Sequence, residues 1–317
     1  MESTKSILLA ALVVASFGLA AADCGQEAAR EPGVREADAG VRVAEEFDRA
    51  VVDSLPGAPG LFDSESGTYR LSVPRNDLVV TVDGAILAPR ISTEGWVVFQ
   101  PVPGGAVLTA ELPMLGDEVN PVISAALLHD LRVTGLHPHF SREEPRLWYL
   151  HLAGIGETDS LAVGVGAVLQ TLEDVKGQPR DPAPPLDATT TLDTAAVDSV
   201  LGLRGQRRQG DYEVTLPRST RLEGYELGGP SGIATRVAFA GSDTRAVASG
   251  SFALSEGELQ EVLKALRAGR IDITSIDDPL VGEEPRLVFV RFWGRGRVTD
   301  LARAMRDALD AMTSSGR

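Results

Sequence analysis

Alternation of apolar and polar residues marks four short strands early in the chain. They fall at Tyr69–Val73, Leu78–Val82, Trp96–Val102 and Ala106–Leu112. A helical period then takes over at Asp117–His129, which predicts an amphipathic helix. A β-hairpin is expected next, Arg132–Phe140 with Pro145–Ala153, turning near Glu144. A last helix is predicted over Asp159–Leu172. The same order returns downstream. Glu256–Ala268 places Leu259, Val262, Leu263 and Leu266 on one helical face, and Ser255 with Glu258 makes a capping box in front of it. A closing helix follows at Thr299–Met312, and short helices at Phe47–Leu55 and Asp193–Leu201 open the two series.

The recurrence extends to the residues themselves. EEPRL stands at Glu143–Leu147 and again at Glu283–Leu287. LWYLHLAGIG is matched by LVFVRFWGRG, and YRLSVPR (Tyr69–Arg75) by YEVTLPR (Tyr212–Arg218). The chain therefore reads as two copies of one unit, residues 47–173 and 192–317, joined by a Pro-rich linker at 174–191. Strands packed with helices, without regular β-α-β alternation, predict an α+β fold. Each of the two tandem copies is a largely antiparallel sheet packed with two helices. The end of each copy has the order of a split β-α-β unit.

Composition and charge narrow the partners. The 317 residues carry 45 acidic against 30 basic side chains, a net charge of −15. Such a chain has no general attraction for nucleic acid or anionic lipid. The single cysteine excludes a disulfide framework and a cysteine-built zinc site. Its position is informative. Residues 1–23 read as a signal peptide: Lys5 ahead of an apolar run from Ile7 to Ala22, with Ala20-Ala21-Ala22 as the cleavage motif. Cys24 follows at once and is the candidate for lipidation. Residues 24–46, rich in Ala, Glu, Arg and Gly, read as a flexible tether. The expected location is outside the cytoplasm, periplasmic or at the outer cell surface, with the membrane touched only through the lipid.

Four segments carry a family resemblance: PRNDLVVTVDG (Pro74–Gly84), DEVNPVISAALLHDLRVTGLHPHF (Asp117–Phe140), EEPRLWYLHLAG (Glu143–Gly154) and GEEPRLVFVRFWGRG (Gly282–Gly296). Through them the chain resembles the LppY/LpqO family of bacterial envelope lipoproteins. The resemblance implies export, a duplicated domain and no established chemistry. It also implies a His-x-His and a later His at one spot, often in both copies.

All four histidines lie in the first copy, between His129 and His151. His137 and His139 are two apart on a strand and so share a face. With the hairpin centred near Glu144, His137 faces His151 directly and His139 lies diagonally. Three imidazoles on one face suit a divalent transition metal such as zinc. Glu111, Glu143 or Glu144 would then serve as fourth ligand, or as base to a metal-bound water. His129 is expected to cap the carbonyls at its helix end. In the second copy Asp277, Pro279 and Arg291 replace the three histidines, and Asp277 with Arg291 reads as a cross-strand charge pair left by a lost site. Three functions stay open: a binding protein for an envelope ligand, a metal-dependent hydrolase built on His137, His139 and His151, and a structural envelope module without a site.

Overall fold

The alternating segments become strands, most of whose apolar residues face one layer of helices. The computed structural model describes residues 49–56, 60–186 and 189–314. The expected signal peptide, tether and Cys24 lie outside the described residues. The first copy runs α1 (Arg49–Asp53), β1 (Leu61–Asp63), β2 (Thr68–Pro74), β3 (Thr81–Val82), β4 (Ala85–Ile86), α2 (Pro89–Ser92), β5 (Glu94–Val102) and β6 (Gly105–Leu115). It continues with α3 (Gly116–Leu128), β7 (Arg132–His137), β8 (Glu143–Glu144), β9 (Leu147–Gly156) and α4 (Thr158–Val175). The second copy repeats the series: α5 (Thr194–Leu201), β10 (Gln206–Arg207), β11 (Tyr212–Pro217), β12 (Thr220–Leu222), β13 (Tyr225–Leu227), β14 (Ala234–Gly241) and β15 (Ala246–Leu254). Then come α6 (Glu256–Ala268), β16 (Asp272–Asp277), β17 (Glu283–Glu284), β18 (Val288–Gly296) and α7 (Val298–Ser314). Among the described residues no helix is long and apolar enough to cross a membrane.

The α+β class is as expected, and each copy packs two long helices on its sheet. The sheets themselves are not separate. One 12-stranded sheet runs β1-β2-β5-β6-β9-β7-β16-β18-β15-β14-β11-β10. Equivalent edge strands, β7 and β16, pair antiparallel at Leu136 and Ile276, so the copies join about a pseudo-twofold axis. The β7 edge of the first copy and the β16 edge of the second, which lone copies would leave open, thereby cover each other. Within a copy, β9 lies between β6 and β7 and runs antiparallel to both, which is the expected split β-α-β unit. A single apolar core spans both copies, from Leu71, Phe99 and Leu112 to Phe239, Phe252 and Phe292.

The seam is held by two reciprocal side-chain clamps. A β-bulge interrupts β7 between Val133 and Gly135, and another interrupts β16 between Ile273 and Ser275. A bulge leaves a backbone amide and carbonyl outside the ladder. Asn120 on α3 fills that gap in the sister copy: its Nδ2 donates to the Ile273 carbonyl at 3.2 Å, and its Oδ1 accepts from the Ile273 amide at 2.8 Å. Gln260 on α6, the equivalent position, does the same for Val133 at 3.0 and 2.9 Å. The indole of Trp148 adds a bond to the Thr274 carbonyl across the seam.

Two repeated motifs are architectural. Arg75 is 1 % exposed and grips Glu118 through two bonds of 2.6 and 2.9 Å. Glu118 also accepts from the Leu115 amide and so caps α3. Arg218 meets Glu258 likewise at 2.5 Å, and Glu258 caps α6 through the Ser255 amide, as its capping box predicts. Glu143 and Glu283 each accept the amide four residues on, from Leu147 and Leu287, inside their turns. Beyond Val175, where α4 ends, the linker has no helix or strand among its described residues. It is pinned by Arg180, which pairs with Asp272 and donates its amide to Asp117.

The expected strand Leu78–Val82 is shorter than the alternation suggests. Only Thr81–Val82 is extended, and it belongs to a small sheet, β4-β3-β8, over the end of the main one. Its apolar residues pack with Leu147 and Tyr149 instead of joining the main core.

Candidate metal centre

The helices cover one face of the large sheet, and the chemistry lies on the other. β7 delivers His137 as its last residue, and His139 follows just past the strand end. β9 delivers His151. The pairing differs from the one expected. His137 lies opposite Tyr149, and Gly135 lies opposite His151. The hairpin therefore turns about one residue earlier than a centre at Glu144 requires, and its tip departs into β8. The missing Cβ of Gly135 makes room for the imidazole: a methyl group there would stand 3.3 Å from His151 Cδ2.

The three rings still converge. The His137 and His151 ring centroids are 4.9 Å apart and stacked, and His137 and His139 are 5.4 Å apart. His139 lies flat on Tyr149, at 3.3 Å between centroids and 4° between planes. One ring nitrogen from each histidine lies within 4.8 Å of the other two. With zinc–nitrogen bonds of about 2.0–2.1 Å, tetrahedral ligands sit about 3.3 Å apart. Modest ring rotations close that difference.

Glu111, on β6, lies directly across from His151. Its Oε2 is 3.7 Å from His151 Nε2 and 3.9 Å from His139 Nε2. Burial lowers the pKa of both His139 and His151, against an opposing pull from Glu111. The rings thus favour the neutral, ligand-competent form. His151 Nε2 is buried and has no hydrogen-bond partner. A buried orphan nitrogen beside a carboxylate is a group waiting for a cation. Glu143 and Glu144, the other expected carboxylates, sit instead on β8 of the small sheet. Glu143 is committed to the Leu147 amide and to Arg146, and Glu144 pairs with Thr81 in the small sheet. His129 ends α3 through its backbone amide, which donates to the Ala125 and Ala126 carbonyls.

A cleft of about 290 Å³ opens beside the cluster, between His139, Tyr149, Glu111, Trp96, Arg70 and Arg90. The Arg70 guanidinium lies over the Trp96 ring at 5.1 Å. Trp96 lines this cleft, Trp148 is spent on the seam, and Tyr149 is buried. The Tyr149 hydroxyl donates to the Ser92 carbonyl, and burial pushes its pKa up. Gly135, Arg70 and Arg90 escaped the sequence reading. Gly135 had a signal, since the second copy has Ser275 at the equivalent place.

In the second copy Arg291 faces Ser275, and Asp277 faces Phe289. The expected charge pair is therefore diagonal, with Arg291 Nε 3.9 Å from Asp277 Oδ1. Asp277 also accepts from the Ser275 hydroxyl at 2.7 Å.

A duplicated α+β scaffold whose first copy carries three histidines able to hold a metal is the class that fold and site define. The chain belongs to a family described as Domain of Unknown Function (DUF1259), whose model matches it twice, over residues 51–171 and 195–311. Two matches in separate segments make this a duplicated domain. No curated protein and no solved structure matches the chain.

Proposed function

We propose that this is an exported cell-envelope protein of the LppY/LpqO type that binds a divalent transition metal such as zinc. His137, His139 and His151 are the ligands, and Glu111 completes the set. The observation that carries the reading is the convergence of three ring nitrogens within 4.8 Å, with the buried, unpartnered Nε2 of His151 facing Glu111. Three nitrogens and one carboxylate oxygen are a donor set that zinc accepts. Segment 1–23 directs export, Cys24 carries the anchor, and 24–46 is the tether. The metal positions an envelope ligand in the adjoining cleft.

Elemental analysis of the purified full chain, followed by zinc titration, tests this. About one metal per chain is expected, with loss in the triple His→Ala variant. Stoichiometric metal in that variant overturns the assignment. The full chain is required, because the two copies share one sheet and one core.

The cleft favours one second reading, a metal-dependent hydrolase in which Glu111 is the base to a metal-bound water. The Glu111→Gln variant separates the two. As a ligand, Glu111 lowers zinc affinity when changed. As a base, it leaves affinity intact and abolishes turnover. Hydrolysis that survives loss of all three histidines eliminates the hydrolase.

A further inference from the structure

The second copy is more than a ruined metal site. In the first copy one row of paired residues crosses the open face from strand to strand: Ser72, Trp96, Glu111, His151 and Gly135. The equivalent row in the second copy is Thr215, Arg236, Ser251, Arg291 and Ser275. The carboxylate and the imidazole are gone. Hydroxyls and guanidinium groups alternate in their place. A row built from an acid and a histidine suits a cation. A row of hydroxyls and arginines suits an oxyanion.

We propose that this face of the second copy binds a small, multiply charged oxyanion of the phosphate class. Arg236 and Arg291 flank Ser251 on neighbouring strands. At a strand spacing of about 4.8 Å their backbones stand about 10 Å apart, so both forks reach one anion over the Ser251 hydroxyl. At the Arg236 end the row opens into a cleft of about 350 Å³, where Arg204, Arg208 and Gln206 add donors and the Thr215 hydroxyl donates to Glu213. Two acids share the face. Glu213 lies 4.0 Å from Arg208, and Asp277 lies 3.9 Å from Arg291. Among the described residues neither Arg204 nor Arg236 has a carboxylate within ion-pair distance. Unpaired arginines gathered in one cleft stand out on a chain of net charge −15, where every surface acid competes for them. The same net charge makes an anionic membrane a poor source for the phosphate, so the ligand is a soluble anion.

Calorimetric titration of the metal-free full chain with inorganic phosphate and with pyrophosphate tests the proposal. Saturable binding is expected, stronger for pyrophosphate and weakening with added salt. The Arg236→Ala, Arg291→Ala double variant is expected to bind at least tenfold more weakly, and the Lys, Lys version to recover part of the loss. The triple His→Ala variant is expected to bind as the parent does, which separates this site from the metal centre. Both arginines are exposed, so circular dichroism should show the variants folded. No saturable binding by the parent, or undiminished binding by the double Ala variant, overturns the proposal. Sedimentation with phosphatidylglycerol vesicles in the absence of any response to the soluble anions also overturns it.

Discussion

Replacing Asn120 by Leu tests the claim that each copy completes the other. Asn120 is 5 % exposed and makes both of its bonds to the backbone of Ile273, at 3.2 and 2.8 Å. Leucine keeps the volume and removes both partners. The net loss for two hydrogen bonds is about 1 kcal/mol each, and leaving the Ile273 amide and carbonyl unsatisfied inside the protein costs about 1–3 kcal/mol per group. The second figure dominates, because water cannot reach the bulge to replace the amide. A destabilisation of about 3 kcal/mol follows. Gln260→Leu strips the equivalent Val133 groups, but from a partly exposed position, so about 1–2 kcal/mol is expected there. Urea unfolding of the full chain, followed by far-ultraviolet circular dichroism and by tryptophan fluorescence, measures both. One coincident transition is expected for the parent, since one sheet and one core span the two copies. A loss below about 1 kcal/mol in Asn120→Leu, or a parent curve with two separate transitions, refutes the reasoning.

Three further outcomes follow from the same structure. Arg75→Met leaves Glu118 buried without its cation and is expected to cost about 3–5 kcal/mol by thermal or urea unfolding; Arg218→Met should cost less, because that pair is partly exposed. Gly135→Ser introduces the second copy's residue against the His151 ring, and zinc affinity should fall about tenfold in a competition titration while the unfolding midpoint barely moves. Zinc affinity should also persist into mildly acid solution. Only neutral imidazole binds the metal, and burial lowers the pKa of His139 and His151, so protons begin to compete below the ordinary histidine value of about 6.5; a midpoint at or above that value contradicts the site. The same lowering makes the metal-free fold lose stability as pH falls through that range, because the unfolded chain then binds more protons.

The strands and helices were legible because their apolar residues keep a clean period, and the duplication because EEPRL and its flanks survive in both copies. The helical caps were legible for the same reason: Glu258 sits three residues after Ser255. The joining of the sheets was not. An edge strand that pairs with its own sister carries the same alternation as one that faces solvent, and Leu136 and Ile276 look like ordinary core residues. The clamp was hidden too, since Asn120 and Gln260 differ in type and read as polar positions on a helix. At the site, Glu111 and the three histidines were legible from alternation, which fixes the face. The register was not, because it is set by where the turn centres, and the pairings place that centre at Glu143 rather than Glu144. A period of two fixes the face of each residue but not which residue lies opposite it.

The comparison of the two copies then separates what the fold needs from what it leaves free. Arg75 and Arg218, Glu118 and Glu258, Glu143 and Glu283, and the amide side chains at 120 and 260 keep their roles in both. Every one of them serves a cap, a turn or the seam. The residues that changed class all project from the open face: Trp96 to Arg236, Glu111 to Ser251, His151 to Arg291. No helix rests on those side chains, so the core does not constrain them, and they are where binding can diverge. The pairing of β7 with β16 puts the two faces on one surface. His151 and Arg291 are then three strand spacings across and two residues along the strands apart, about 16 Å between backbones. That is too far for one inorganic ion to touch both, so the proposed cation and anion sites are separate. A ligand that engages both must carry its donor and its anionic group about that distance apart.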